Sequence, residues 1–297
     1  MGQNIKIAVL FILSCVCLAG CKGDTHEKKS DVTTSRQPNN EPPKGSLVFN
    51  APLSPEERRA RLEYVLNNTI TGREEMMEKI HSIISEKGDI NQKIGLEGET
   101  LLHIAAGAGY VDAVQLLIEG QAEVNSRDKG GRIPLHRAVQ SGSVETIELL
   151  LNHGADITQT DNTGQSALFY STNSHAFQEV VSFLMSRGVD INQIAANGHT
   201  LLGNLVPRGQ LKDIEFLIVK GTNVNSKGYL GYTPLHIAVE YGRPDVVKLL
   251  LDHGADGSIQ NDANETPLSL AERNDEPQAT TKEKRDEVLQ VLRSYQK

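Results

Sequence analysis

The sequence has 297 residues, of which 38% are apolar and 23% charged, a composition typical of globular proteins. Its formal net charge of −8 argues against binding to nucleic acid, because phosphate recognition needs a basic surface. All three cysteines, at positions 15, 17 and 21, lie near the N-terminus, so the rest of the chain can form neither an internal disulfide nor a thiolate metal site.

Residues 1–20 have the composition of an export signal. Lys6 precedes the apolar run Ile7–Leu18, which is too short to span a bilayer as a helix. The run ends in Leu18-Ala19-Gly20-Cys21. This motif resembles the lipobox of bacterial lipoproteins, and the resemblance implies that Cys21 is lipidated and, after cleavage, becomes the acylated N-terminus. The alternative is an ordinary cleaved signal that happens to contain a cysteine.

The residues after Cys21 are predicted to be a tether. Lys22 stands where Asp would favour retention in the inner membrane of enterobacteria, so the resemblance implies an anchor in the outer membrane that faces the periplasm. Residues 21–53 are largely polar and contain Pro38, Pro42 and Pro43, which break any helix, so they are predicted to be a lipidated N-terminus followed by a disordered segment. Within it, Leu47-Val48-Phe49 either packs against the first helices or has no structural role.

Two helices are predicted at the start of the folded domain, residues 54–297. Ser54-Pro55-Glu56-Glu57 is a capping box that begins the first. The second is expected from about Gly72 to Glu86, with Thr71 as its cap. Met76 and Met77 on this helix are interpreted as core residues rather than metal ligands.

From residue 98 the chain repeats itself. Repeats begin near residues 98, 131, 164, 198, 231 and 264, spaced by 33 or 34 residues, and one of them reads Gly231-Tyr-Thr-Pro-Leu-His-Ile-Ala-Val. Period and motif resemble the ankyrin repeat. The resemblance implies an all-α ankyrin-repeat solenoid of helix-turn-helix units with β-hairpin-like loops, comprising about six repeats and an N-terminal helical cap. The one extra residue is predicted in the turn around Asn173-Ser174-His175.

Several positions depart from the ankyrin pattern. Gln121 replaces the glycine that ends a helix, which predicts a distorted turn, and Ile133 replaces a capping Thr. Repeats three and four are expected to be the weakest, because Phe169 and Gly203 replace the motif histidine. After an extended turn at 274–280, a charged helix over about 282–295 is predicted to be a polar C-terminal cap.

The histidines of the repeat motif do not predict a metal site. Repeats stack about 10 Å apart, so His103, His136 and His236 cannot share an ion held at about 2 Å, and we expect structural hydrogen bonds instead. His153 and His253 are expected to cap helix C-termini. No nucleophile elbow, phosphate loop or zinc-protease motif is present. The sequence therefore predicts no enzyme, no cofactor, no metal and no small-molecule substrate.

The binding surface of ankyrin proteins is the concave face formed by loop tips and first helices. The resemblance places Tyr229, Leu230, Tyr232 and Tyr241 there, and this group is our candidate for the energetic centre because Tyr is enriched in hot spots. The alternative is that these are ordinary repeat and surface residues. A small basic patch of Arg127, Lys129 and Arg132 either steers an acidic partner or is simply solvated. The remaining candidate residues are Asn162, His199 and Arg208.

These features predict a monomeric, membrane-anchored periplasmic module that binds an envelope protein through the concave face. The alternative is an immunity or inhibitor lipoprotein that neutralises a periplasm-acting toxin such as an antibacterial phospholipase. A purely structural envelope protein is a further alternative. Both binding functions use the same surface, so the sequence does not separate them.

Overall fold

The computed structural model describes residues 72–273 and 281–295. The predicted signal peptide, the tether, the helix from Ser54 and the extended turn at 274–280 lie outside these residues. Helices dominate the described residues, whose loops form only isolated β-bridges, such as Thr160–Ser166 and Ile194–Thr200. The predicted all-α class is confirmed.

The first described helix, α1, spans Arg73–Ser85, and its N-cap is Gly72 rather than the expected Thr71. Met76 is fully buried and Met77 packs against the core, as predicted. Helix pairs follow in series within the described residues. They are α2 (Leu101–Ala108) with α3 (Val111–Glu119), α4 (Pro134–Ser141) with α5 (Val144–Asn152), α6 (Ala167–Tyr170) with α7 (Phe177–Ser186), α8 (Leu201–Leu205) with α9 (Leu211–Val219), α10 (Pro234–Glu240) with α11 (Pro244–Asp252), and α12 (Pro267–Glu272) with α13 (Lys282–Ser294).

We number these pairs as units 1 to 6 and call the loop that precedes each pair its tip. The tips are tip 1 (94–99), tip 2 (128–132), tip 3 (161–165), tip 4 (195–199), tip 5 (228–232) and tip 6 (261–265).

Unit 5 shows how the repeated residues determine the fold of a unit. The hydroxyl of Thr233 accepts from the amide of His236 at 3.4 Å, and the ring of His236 accepts from the amide of Thr233 at 3.2 Å, which closes a capping box at the start of α10. Gly242, with φ +58°, allows the tight turn into α11. The buried side of α11 is Val246, Val247 and Leu250, which join one apolar core shared along the units.

Unit 3 absorbs the extra residue beside the turn in which the sequence predicts it. Helix α6 is only four residues long and continues as a 3-10 turn over Ser171–Asn173. Helix α7 has ten residues, one more than α5 or α11. Counted back from Gly188 and Gly154, α7 begins one residue earlier than α5, so the extra residue lies at the start of α7, next to the predicted turn. In unit 4, α8 has only five residues, against eight in α4, so the two repeats predicted to be the weakest have the shortest first helices among the described units.

The turn at Gln121 is not distorted, so that expectation is wrong. Gln121 adopts φ +66°, close to the +87° and +85° of Gly154 and Gly254 at the same position of units 2 and 5. The amide of Ala122 bonds the carbonyl of Leu117 at 2.9 Å, as in those units. The surrounding packing holds the glutamine in a left-handed conformation that costs an L-residue roughly 1–2 kcal/mol.

Replacing this residue by glycine is therefore expected to stabilise the protein. Gln121→Gly should raise the free energy of unfolding by about 1 kcal/mol, because glycine adopts positive φ without strain. Gly154→Gln is the matched control and should lower it by a similar amount, since a side chain at Gly154 meets open space and only the backbone penalty remains. Urea denaturation followed by circular dichroism measures both. A destabilised Gln121→Gly would show that the glutamine side chain contributes more than the strain costs.

Helix α13 is the predicted charged C-terminal helix. It buries only Val288 and Leu292, and its other side chains are largely polar. Arg293 pairs with Glu272 at 2.9 Å, and the hydroxyl of Tyr295 donates to Asp252, which fixes the helix to α12 and α11.

Candidate partner-binding surface

The histidines of the repeat motif are structural, as predicted. His103, His136 and His236 are fully buried, and each ring accepts from the backbone amide three residues earlier through Nδ1 at 3.2 Å. Each Nε2 donates to a carbonyl of the next tip, at 2.9 Å to Arg132, 3.4 Å to Gln165 and 3.0 Å to Glu265. Burial lowers the pKa of all three rings, so they are neutral at pH 7. They hold the tips in place.

Backbone hydrogen bonds also join neighbouring tips. The amide of Lys129 donates to Glu97 at 2.9 Å, that of Asn162 to Gly130 at 2.9 Å, and that of Ala196 to Gly164 at 3.3 Å. The amide of Asp262 donates to Leu230 at 3.1 Å. Because these bonds use main-chain atoms, they do not depend on which side chains the tips carry.

The side chain of the first residue of a tip can brace the tip, which means that it accepts a hydrogen bond from the amide of the tip's last residue. The buried carboxylate of Asp128 accepts from the amide of Arg132 at 2.9 Å, and Asp161 accepts from the amide of Gln165 at 2.9 Å. Asn261 braces tip 6 in the same way, at 3.0 Å from the amide of Glu265. Ala195 and Gly228 occupy this position in tips 4 and 5 and have no side-chain acceptor. In tip 4 the side chain of Asn197 accepts from the amide of His199 at 3.1 Å instead, so tip 5 is the one of tips 2 to 6 without a side-chain brace.

Tip 5 and the end of α10 carry two of the three exposed aromatic residues among the described ones. Tyr229 is 61% exposed, Leu230 is 54% exposed and Tyr241 is 43% exposed. Leu230 has φ +55°, so its side chain is presented from a left-handed turn. The rings of Tyr229 and His199 stack at 6.1 Å, which joins tip 5 to tip 4. These three residues, Tyr229, Leu230 and Tyr241, are called the aromatic patch below.

Tyr232 differs from the other predicted aromatic residues. It is half-buried against the core, its ring lies 5.5 Å from that of His236, and burial raises its pKa. Its side chain therefore supports tip 5 more than it offers a free contact.

The predicted basic patch is mostly engaged within the protein. Arg132 pairs with Asp128 at 2.6 Å and with Glu97 at 3.4 Å. Arg127 donates to Gln159 at 2.7 Å and to the carbonyl of Thr160 at 3.0 Å. Lys129 is exposed. The two arginines thus join neighbouring loops, and Lys129 is the member whose ammonium faces solvent.

The other predicted residues lie on tips 3 and 4 and beside α8. Asn162 donates from its amide nitrogen to the carbonyl of Lys129 at 2.9 Å, so it links tips 2 and 3. The ring of His199 bonds the amide oxygen of Asn204 at 2.7 Å. Arg208 is exposed in the turn after α8.

Exposed large apolar side chains concentrate in units 4 and 5. Six of the nine found among the described residues lie between positions 194 and 241. Three of these, Ile194, Leu211 and Val219, were not predicted, because the resemblance to ankyrin proteins points only to tips and first helices as the binding face. Leu211 and Val219 are the first and last residues of α9, where a helical pattern alone does not show which side neighbours cover.

The described residues contain no group of His, Cys, Asp or Glu arranged to hold a metal ion. No helix among them has the length and apolar character needed to cross a membrane.

Comparisons with known proteins agree with this geometry. A model of three ankyrin repeats matches residues 70–161, and a model of many ankyrin repeats matches residues 217–271. The ankyrin repeat domain of Bcl-3, a member of the IkappaB protein family, is similar with a TM-score of 0.58 and 26% identity over 78% of this chain and 96% of that chain. The human ASB11 ankyrin repeat domain is similar with a TM-score of 0.60 and 24% identity over 74% of this chain and 94% of that chain.

A third similar structure is the Bd0816 predatory endopeptidase from Bdellovibrio bacteriovorus in complex with the immunity protein Bd3460. Its matching chain gives a TM-score of 0.54 and 25% identity, over 65% of this chain and 96% of that chain. No curated protein sequence matches the chain.

Proposed function

The chain is a member of the ankyrin-repeat family, and on that premise we propose that it is a lipid-anchored module that binds an envelope protein through the tips and first helices of units 4 and 5. The observation that carries this proposal is the aromatic patch. Each of its side chains is more than two-fifths exposed, although burying large apolar surface away from water would be favourable. Tyrosine in such positions provides much of the binding energy in protein interfaces.

The anchor is proposed from the lipobox-like sequence Leu18-Ala19-Gly20-Cys21, which lies outside the described residues. Acyl chains on Cys21 would hold the protein at a membrane, and the absence of Asp after Cys21 favours the outer membrane facing the periplasm. The folded units would then meet their partner in the periplasm.

Inhibition of a toxin is the second candidate function. One observation favours it: a structure similar to this chain is a complex between a peptidase and an immunity protein. An anchored inhibitor in the periplasm would intercept a toxin that acts on the envelope. The toxin need not be a phospholipase, and a peptidase fits the comparison equally well.

The binding proposal is tested by affinity capture with the full chain from envelope extracts of the native organism. The test variant is Tyr229→Ser/Leu230→Ser/Tyr241→Ser, which leaves the half-buried Tyr232 in place. We expect it to fold normally and to bind the captured protein about thirtyfold more weakly, since loss of one hot spot costs about 2 kcal/mol.

The matched control is Val219→Ser, which removes an apolar side chain that is 72% exposed at the end of α9. It should bind as the unchanged protein does. Equal binding by the triple variant and the unchanged protein would place the interface elsewhere.

The two candidate functions differ in what deletion of the gene does. Cells lacking an immunity protein become sensitive to a competitor or sibling that delivers the toxin, whereas cells lacking a binding module for an envelope protein lose that partner's localisation. Survival in mixed culture, with and without the triple variant supplied in trans, separates them.

A further inference from the structure

Neighbouring units are joined by three recurring kinds of hydrogen bond. One is the backbone bond between tips, the second is the bond from a buried histidine to the next tip, and the third comes from an asparagine at the base of the loop. At the junction of units 1 and 2 all three are present. They are Lys129 to Glu97 at 2.9 Å, His103 to Arg132 at 2.9 Å, and the amide of Glu123 to the side-chain oxygen of Asn91 at 2.8 Å.

The junction of units 4 and 5 lacks the two bonds on its tip side. Gly203 stands at the histidine position of α8, so no ring reaches the carbonyl of Tyr232, the acceptor that corresponds to Arg132. The amide of Tyr229 donates to no backbone carbonyl of tip 4, although Gly198 and Tyr229 are in close contact. Among the described junctions between tips, this is the one without such a backbone bond.

The opposite sides of the same junction are well held. Asn192 donates to the carbonyl of Gly221 at 3.2 Å and accepts from the amide of Asn223 at 2.8 Å. At the turns between helices, Arg243 donates to the carbonyls of Val206 at 3.0 Å and Gly209 at 3.3 Å. Units 4 and 5 are thus linked at the loop base and at the helix turns, and unlinked by hydrogen bonds along their tips.

Tip 5 also lacks a side-chain brace. Gly228 replaces the buried Asp or Asn of tips 2, 3 and 6, whereas in tip 4 the side chain of Asn197 accepts from the amide of His199 at 3.1 Å. The stacking of His199 on Tyr229 connects tips 4 and 5 through side chains. An exposed ring stack is worth about 1 kcal/mol, less than the two tip-side hydrogen bonds together at the junction of units 1 and 2.

We infer that the junction of units 4 and 5 is a hinge. Tip 5 separates from tip 4 while the loop base and the helix turns stay joined, so the angle between the two units changes on the tip side. This inference concerns the chain alone and does not need a partner. Its use in binding rests on the proposed function: the hinge carries the aromatic patch, which can then adjust to the surface that it contacts.

Hydrogen exchange of the full chain, measured by mass spectrometry, tests the hinge within one molecule. Amides of tip 5 are expected to exchange about tenfold faster than those of tip 2, because local opening controls their exposure. The amide of Asn223 at the held side should be as protected as that of Glu123 at the junction of units 1 and 2. Equal exchange of tips 2 and 5 would overturn the inference, and fast exchange at Asn223 would show whole units separating instead.

A designed variant restores the missing bond. In Gly203→His the ring should donate to the carbonyl of Tyr232, 29 residues later, as His236 does to Glu265. Exchange of tip 5 should then slow to the rate of tip 2. Gly203→Ala is the matched control, since it adds helix propensity without a donor and should leave tip 5 fast. Equal slowing by both variants would show that tip 5 opens because helix α8 is short, and this result would contradict the hinge. If Gly203→His does not fold, the comparison of tips in the unchanged protein decides.

Discussion

Replacing Cys21 by Ser is expected to transfer nearly all of the protein from the membrane fraction to the soluble fraction. A serine hydroxyl does not accept the diacylglyceryl group that lipoprotein processing places on a cysteine thiol. Each buried methylene of an acyl chain contributes about 0.8 kcal/mol to membrane binding, so loss of the chains removes almost all of the anchoring free energy. Cell fractionation and labelling with radioactive palmitate measure the effect.

Cys15→Ser and Cys17→Ser are the matched controls. Both cysteines lie within the apolar run of residues 7–18 and would be removed with the signal. These variants should keep the label and the membrane location. Membrane retention of an unlabelled Cys21→Ser protein would refute the lipid anchor and leave an ordinary export signal.

Acidification below about pH 6.5 is expected to destabilise the folded units steeply. Burial lowers the pKa of His103, His136 and His236 below the ordinary histidine value of about 6.5, so the unfolded chain binds more protons than the folded chain just below that pH. The free energy of unfolding therefore falls as pH falls toward the folded pKa values, and it is unaffected by these groups well above pH 6.5. Each histidine contributes a slope of at most about 1.4 kcal/mol per pH unit, and the three together up to about 4.

Urea denaturation at several pH values between 7.5 and 5 measures this slope. In His236→Gln the slope should fall by about a third. The general charge of the chain cannot cause the loss, because −8 becomes less negative on acidification and self-repulsion decreases. Repeating the series in 1 M salt, which screens exposed charges, should leave the slope in place. A free energy that stays constant over this range would mean that the buried rings do not control acid stability.

The repeating helices could be predicted from sequence because each depends on local residues. A Thr-Pro pair begins a first helix, a glycine ends a second, and the apolar spacing between them fits one buried side. The same local reasoning places the extra residue of unit 3 close to the turn between its two helices, because a turn accepts an insertion more readily than the middle of a helix. The role of the motif histidines also follows, because their spacing excludes a shared ion.

Features that depend on neighbouring units could not be predicted. Gln121 has the positive φ typical of glycine because the surrounding packing fixes the turn. The conformational preference of glutamine alone predicts a negative φ at this position. Tyr232 turns toward His236, whereas Tyr229, three residues earlier, is exposed. The exposure of Val219 likewise depends on what the adjacent second helices cover. These are packing properties of the stack, and a single repeat does not contain them.

The attachment of tips through main-chain atoms has a consequence for how the protein can evolve. At the second position of a tip the amide makes the structural bond, so Lys129 and Asp262 differ in side chain while making the same contact. Mutations at these two positions change what the surface recognises at little cost in folding, whereas Asn162 also bonds the carbonyl of Lys129 through its side chain. Tyr229 lacks the backbone bond to tip 4, and its side chain contacts that tip through the stack on His199. A lineage under pressure from a changing partner could alter specificity at Lys129 and Asp262 by single substitutions, with the neighbouring repeats left intact.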